Sequence, residues 1–130
     1  MNKTILLTAT LLGLLAILLG AFGAHGLEKL ITGYAIDTFE VGVRYQMYHA
    51  LFLLILGVWD GLRIKQKRTV FILILTGVIL FSFSIYALSI NSLFNFEFMK
   101  IAILTPIGGT FLILGWFLFG YYILTKKSIK

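Results

Sequence analysis

Four apolar stretches, residues 4–24, 44–62, 69–90 and 101–124, take up most of this 130-residue chain. Each is close to the roughly 20 residues a helix needs to cross the hydrocarbon core of a bilayer. Backbone polar groups in that core must be satisfied within the segment itself, so stretches of this length read as helices. The gaps between them are too short for a separate soluble domain. The expected fold class is therefore all-α: a polytopic membrane protein with four transmembrane helices in an antiparallel bundle, one domain over residues 1–130. Only 12% of the residues are charged, about half the proportion in soluble domains.

The formal net charge is +6, which in a soluble protein would suggest nucleic acid. Here the basic residues flank the spans, so orientation and contact with anionic lipid account for them better, and no nucleic-acid partner is expected. The chain has no cysteine, which excludes disulfides, thiolate catalysis and Cys-based metal sites. Its two histidines, His25 and His49, are too far apart for a local metal motif. Neither a metal nor a cofactor is expected.

Eight of the 11 Lys and Arg residues fall in alternate gaps: Lys3, then Arg63, Lys65, Lys67 and Arg68, then Lys126, Lys127 and Lys130. The opposite side has Lys29, Arg44 and Lys100, mixed with Glu28, Asp37, Glu40 and Glu97. In short loops this asymmetry places the richer side in the cytoplasm. Both termini are thus expected there, in a multi-pass protein of the bacterial cytoplasmic membrane. Trp59, Tyr121 and Tyr122 end spans at that face, and Phe94, Phe96 and Phe98 suit a shallow interfacial segment on the other. The first span also has a competing reading as a secretory signal peptide ending near Ala24. Its apolar run is longer than the usual 7–15 or so residues of such a segment, and retention is the expectation.

Helices associate in lipid where small side chains let backbones approach. Ala9, Gly13, Ala16, Gly20 and Gly23 form such a seam on span one, read as structural packing, with a Gly-lined path as the alternative. Asp37 and Glu40 resemble a capping box, predicting a helix from Thr38 to Leu62 about 37 Å long. Gly33 and Gly42 read as loosening points, and residues 27–36 as a short amphipathic turn or a loop. Pro106 followed by Gly108 and Gly109 predicts a kink or break in span four, of the kind that lines a buried or wet cavity. No internal repeat of the inverted-repeat transporter kind is visible.

Polar residues concentrate at one depth. Span one ends at His25, span two enters with Arg44, Tyr45, Gln46, Tyr48 and His49, span three carries Ser82, Ser84, Tyr86 and Ser89, and span four carries Thr105. Ionisable groups inside a membrane are functional candidates by default. Glu40, Arg44 and Tyr48 share one helical stripe, and Tyr45 and His49 the adjacent one. Arg44 reads equally as the structural partner of Glu40 or as part of a ligand site. His49 reads first as a neutral imidazole bonded to a span-three hydroxyl. His25 belongs to a turn, and the span-three hydroxyls can simply bond to carbonyls. The candidate ligand site is Arg44, Tyr45, Tyr48, His49, His25, Ser82 and Tyr86, with Glu40, Gly13, Gly20, Pro106, Gly108 and Gly109 structural. No Ser–His–acid set, carboxylate pair or phosphate-binding loop is present, so an enzyme is not expected.

Residues 20–27 (Gly-Ala-Phe-Gly-Ala-His-Gly-Leu) and 43–51 (Val-Arg-Tyr-Gln-Met-Tyr-His-Ala-Leu) resemble a bacterial family catalogued as domain of unknown function 423. That family is also catalogued as uncharacterised protein family 0382, and it has small animal relatives. Residues 81–88 and Thr105-Pro106-Ile107-Gly108-Gly109 are similar to its later motifs. Phe83 departs from the pattern, which has glycine there, and puts close helix contact at that turn in question. The resemblance implies a four-span plasma-membrane protein and brings no activity with it.

The function expected is a structural or ligand- or partner-binding membrane subunit with an outer-leaflet polar pocket. The alternative is a small oligomeric transporter or channel for a small anion or polar solute. The lipid bilayer is the expected partner. Other membrane proteins, a second copy of the chain, an anionic lipid, a quinone or another small molecule are the further candidates.

Overall fold

A computed structural model describes residues 1–94 and 97–126, with the Phe98 side chain left out. Phe96, Lys127 and Lys130 therefore lie outside the described residues. All regular structure among the described residues is helical: α1 (Asn2–His25), a 3-10 turn (Leu27–Lys29), α2 (Gly33–Val58), α3 (Ile64–Ser89) and α4 (Phe98–Thr125). All four long helices are long and apolar enough to cross a membrane. They pack in chain order, α1 on α2, α2 on α3 and α3 on α4, the last pair in the most extensive contact. Ile5 and Leu12 of α1, Leu53 and Leu56 of α2, Val70 and Ile74 of α3, and Leu112 of α4 meet in one core.

Helix α2 starts five residues before the expected Thr38. Its N-cap is Thr32, whose hydroxyl accepts from the Ala35 amide at 3.2 Å, satisfying one of the orphan donors of the first turn. Asp37 is inside the helix, one turn further on, and caps nothing. The helix ends at Val58, with Trp59 as C-cap, rather than at Leu62. The expected loosening points also have other roles. Gly33 opens the helix, and Gly42 is a contact point, where a Cβ would come within 2.6 Å of the Tyr86 ring.

Of the kink or break expected in span four, a break is absent: α4 runs as one helix through Pro106. Proline removes one amide and so leaves the Ala102 carbonyl without its intrahelical donor, a loss a long helix tolerates. The glycines that follow serve packing instead. Gly108, Leu112 and Gly115 form the buried stripe of α4. A Cβ on Gly108 would collide with the Phe81 backbone nitrogen and come within 2.8 Å of the Leu80 carbonyl carbon. Gly77 of α3 receives Leu112 in the same way, and Gly115 receives Ile74. Helices α3 and α4 therefore touch backbone to backbone, the geometry that small residues permit in lipid.

The small residues of α1 face α2, but not all are tight. Ala9, Ala16 and Gly23 are buried, whereas a Cβ on Gly13 would sit 3.8 Å from Ala50 Cβ and one on Gly20 3.5 Å from Val43. Gly13 and Gly20 are thus half-buried positions with room for a methyl group. Phe83 is exposed on the outer surface of α3, so its ring does not obstruct the contact its position put in question.

One end of the molecule gathers Asn2, the α2–α3 connection and the close of α4. Lys67 is buried there, its Nζ donating to Asn2 Oδ1 at 2.9 Å and lying 3.7 Å from Asp60 Oδ1. Asn2 Nδ2 in turn donates to Asp60 Oδ1 at 3.2 Å. These bonds tie α1, the connection and α3 together at a basic end that also holds Lys3, Arg63, Lys65, Arg68 and Lys126.

Candidate functional site

The polar residues do not form one cluster. They separate into three groups, each joining a different pair or trio of helices. Gln46 is fully buried at the centre of the first. Its Nε2 donates to the Leu12 carbonyl of α1 at 2.8 Å, and its Oε1 accepts from the Tyr86 hydroxyl of α3 at 2.7 Å. The Leu12 carbonyl can only accept, so the NH2 of Gln46 must face it, and the orientation of the amide is fixed. Ser82 adds a bond from α3 to the Gly42 carbonyl at 2.9 Å, and the Tyr86 ring lies 4.9 Å from that of Phe39.

The second group joins α3 to α4. Ser84 donates to its own helix at the Phe81 carbonyl, 2.9 Å away, which uses its one proton. Thr105 is therefore the donor in the 2.6 Å contact between the two hydroxyls. Ser89 also bonds back within α3, to the Ile85 carbonyl.

The third group joins α2 to α4 through His49. Trp116 Nε1 lies 3.0 Å from His49 Nε2, and His49 Nδ1 lies 2.7 Å from the Tyr45 carbonyl. Indole nitrogen can only donate, so Nε2 accepts and the proton sits on Nδ1, where it is given to the carbonyl. The imidazole is thereby neutral, satisfied on both sides and fixed in plane. The partner expected for His49, a hydroxyl of the third span, is replaced by an indole of the fourth.

Beside this pair, at the middle turns of the helices, is a cavity of about 470 Å³ lined by Tyr45, His49, Phe81, Gly109, Leu112, Ile113 and Trp116. Its walls are mostly apolar and aromatic. The Tyr45 ring packs 5.0 Å from Phe81, and Trp116 lies 4.5 Å from Phe52 beneath it. Gly109 contributes no side chain, and its missing Cβ would stand 3.6 Å from the Phe81 ring.

Of the seven candidate ligand residues, Tyr45 and His49 line this cavity. Ser82 and Tyr86 face Gln46 and Gly42 instead. Arg44 is half-exposed and stands 3.9 Å from Glu40, one turn earlier on the same helix. Tyr48 is exposed, with its ring 5.6 Å from Tyr45. His25 is the exposed last residue of α1. Pro106 and Gly108 lie on α4 above the cavity, and only Gly109 of the three borders it. The cavity that Tyr45 and His49 line is thus an apolar recess beside one satisfied histidine.

Sequence reasoning left Gln46, Phe81 and Trp116 out of the candidate site, though Gln46 stands in the polar run of span two. Trp116 carried a signal, since tryptophan is enriched at the membrane interface and this one is in mid-span. Among the described residues, no three His, Cys, Asp or Glu side chains are grouped to hold a metal ion.

A family profile described as a protein of unknown function, DUF423, matches residues 19–109, from the end of α1 into α4. The chain belongs to the DUF423 family. A UPF0382 membrane protein of Staphylococcus aureus is 37% identical over 114 residues, covering 88% of this chain and 89% of the relative. One from Haemophilus influenzae is 35% identical over 129 residues, 98% of each chain. The Bacillus subtilis UPF0382 membrane protein YwdK is 37% identical over 116 residues, 88% of this chain and 90% of its own. No solved structure matches the chain. All of the residues that line the cavity up to Gly109 fall inside the DUF423 match, and Leu112, Ile113 and Trp116 follow it directly.

Proposed function

We propose that this DUF423 protein is a non-enzymatic binding subunit of the bacterial plasma membrane. It holds a flat, lipid-soluble molecule, of the quinone type, between α2, α3 and α4. The observation that carries this reading is the cavity of about 470 Å³ walled by aromatic rings. Pockets for small molecules combine apolar walls with a few placed polar groups. Here the rings of Tyr45 and Phe81 offer stacking surfaces, and Trp116 Nε1–H offers a donor that a ligand carbonyl takes by displacing His49.

The chain has two tryptophans, so Trp59→Phe leaves Trp116 as the sole tryptophan, excited selectively at the red edge. Titrating the purified variant with a short-chain benzoquinone or naphthoquinone should quench Trp116 saturably. Gly109→Leu, whose Cβ makes an ordinary 3.6 Å contact, should fill the cavity, leave the melting temperature almost unchanged and weaken binding about tenfold or more. Quenching that never saturates and is the same in both proteins counts against the site.

The basic end carries most of the Lys and Arg, and short connections of this kind face the cytoplasm. Both termini and the connection around Lys65 are therefore cytoplasmic. Cysteine is absent from the chain, so single Lys65→Cys and Glu28→Cys variants report cleanly. An impermeant maleimide applied to intact cells should label the second and spare the first, and the opposite pattern inverts the topology.

A further inference from the structure

A second recess, at the basic end and separate from the aromatic cavity, measures about 530 Å³. Asp60 and Arg63 of the α2–α3 connection, Gln66 in the first turn of α3, and Tyr122 and Lys126 at the close of α4 line it. Its one carboxylate, Asp60, is 3.7 Å from the buried Lys67 ammonium, which takes up its charge. Neither Arg63 nor Lys126 has an acidic side chain within 4.0 Å among the described residues. Lys126 is held over the Trp59 ring at 5.3 Å, a cation–π contact that restrains the ammonium.

The remaining groups also favour an anion. Gln66 Oε1 accepts from the Arg63 amide at 3.1 Å, which leaves its NH2 to donate. The start of α3 opens onto the same space and adds the partial positive charge of a helix N-terminus. A residue with a guanidinium, one with an ammonium and one with an amide, from separate elements, line one recess at the end of the helices.

We propose that this recess binds a phosphate group, carried by an anionic lipid headgroup or present as the free ion. Guanidinium matches the paired oxygens of phosphate, and lysine supplies a point charge beside it. The site is independent of the quinone-type reading.

The test is the melting temperature of the detergent-purified protein with added phosphatidylglycerol, phosphatidylcholine or inorganic phosphate. Phosphatidylglycerol should raise it by about 5 °C, and phosphatidylcholine should raise it far less. Arg63→Gln with Lys126→Gln should lose most of the shift. Lys126→Gln alone, at an exposed helix end, should lose about half. Lys3→Gln with Lys65→Gln removes the same charge outside the recess and should keep the shift. If inorganic phosphate reproduces both the shift and its loss in the lining variant, the source is the free ion. Without that, it is the lipid. Equal shifts with the two lipids, or equal losses in the lining and control pairs, overturn the site.

Discussion

Gly108→Ala should destabilise the protein by about 1–3 kcal/mol, the usual penalty for forcing extra atoms into a close-packed contact. Alanine is the better helix former by nearly 1 kcal/mol, so any loss must come from the interface. The new methyl collides with the Phe81 backbone nitrogen and reaches within 2.8 Å of the Leu80 carbonyl carbon. Backbone cannot rotate away as a side chain can, so α3 and α4 must separate along their whole contact. Gly13→Ala is the matched control. Its Cβ finds Ala50 at 3.8 Å, and the change should be neutral or stabilising by up to about 1 kcal/mol. Reversible unfolding in bicelles or mixed micelles measures both. Equal effects at the two positions would mean that the α3–α4 contact is not the tight one.

Gln46→Leu should lower stability by about 1–3 kcal/mol, although it makes α2 more apolar. The substitution removes two interhelical bonds at once and leaves the Tyr86 hydroxyl without its acceptor. Interhelical bonds in membranes are worth about 0.6 to 2 kcal/mol each, because an unfolded chain in lipid also finds partners. Tyr86→Phe should cost about 1 kcal/mol alone and almost nothing in the Gln46→Leu background. That non-additivity is the signature of one shared bond. Strictly additive effects would show that the two side chains act separately.

The four spans were legible because length and apolarity are properties of each segment alone. Thr32 was legible too, a hydroxyl residue ahead of a helical pattern, yet the acidic pair Asp37 and Glu40 drew the boundary to itself. Acidic residues in a first turn signal a helix start only when nothing earlier can cap it, and Thr32 can. The break at Pro106 failed for a related reason. Proline reports a missing amide, but a long helix can run on past it, and here Gly108 packs closely on α3. Ionisable residues guided the reading of the polar cluster, so Arg44 outranked Gln46. Arg44 is long enough to reach the surface from its place on α2 and does so. The amide of Gln46 is short, buried and flanked by a carbonyl and a phenol from other helices. Which helices stand beside a residue is long-range information that its own span does not contain.

Gln46 and His49 also bear on how the chain is made. Helix α2 is the least hydropathic of the four, and each of its two buried polar side chains needs a partner from another helix to be fully satisfied. Leu12 is available as soon as α1 and α2 have entered the membrane. Tyr86 arrives with α3, and Trp116 only when α4 has left the ribosome. Until then the nascent protein holds an amide and an imidazole half-satisfied against lipid. A chain cut short before α4 keeps that defect for good. The third and fourth helices thus act as the final inspection of the second, and truncated products should be short-lived in cells whose membrane proteases recognise polar, loosely packed spans.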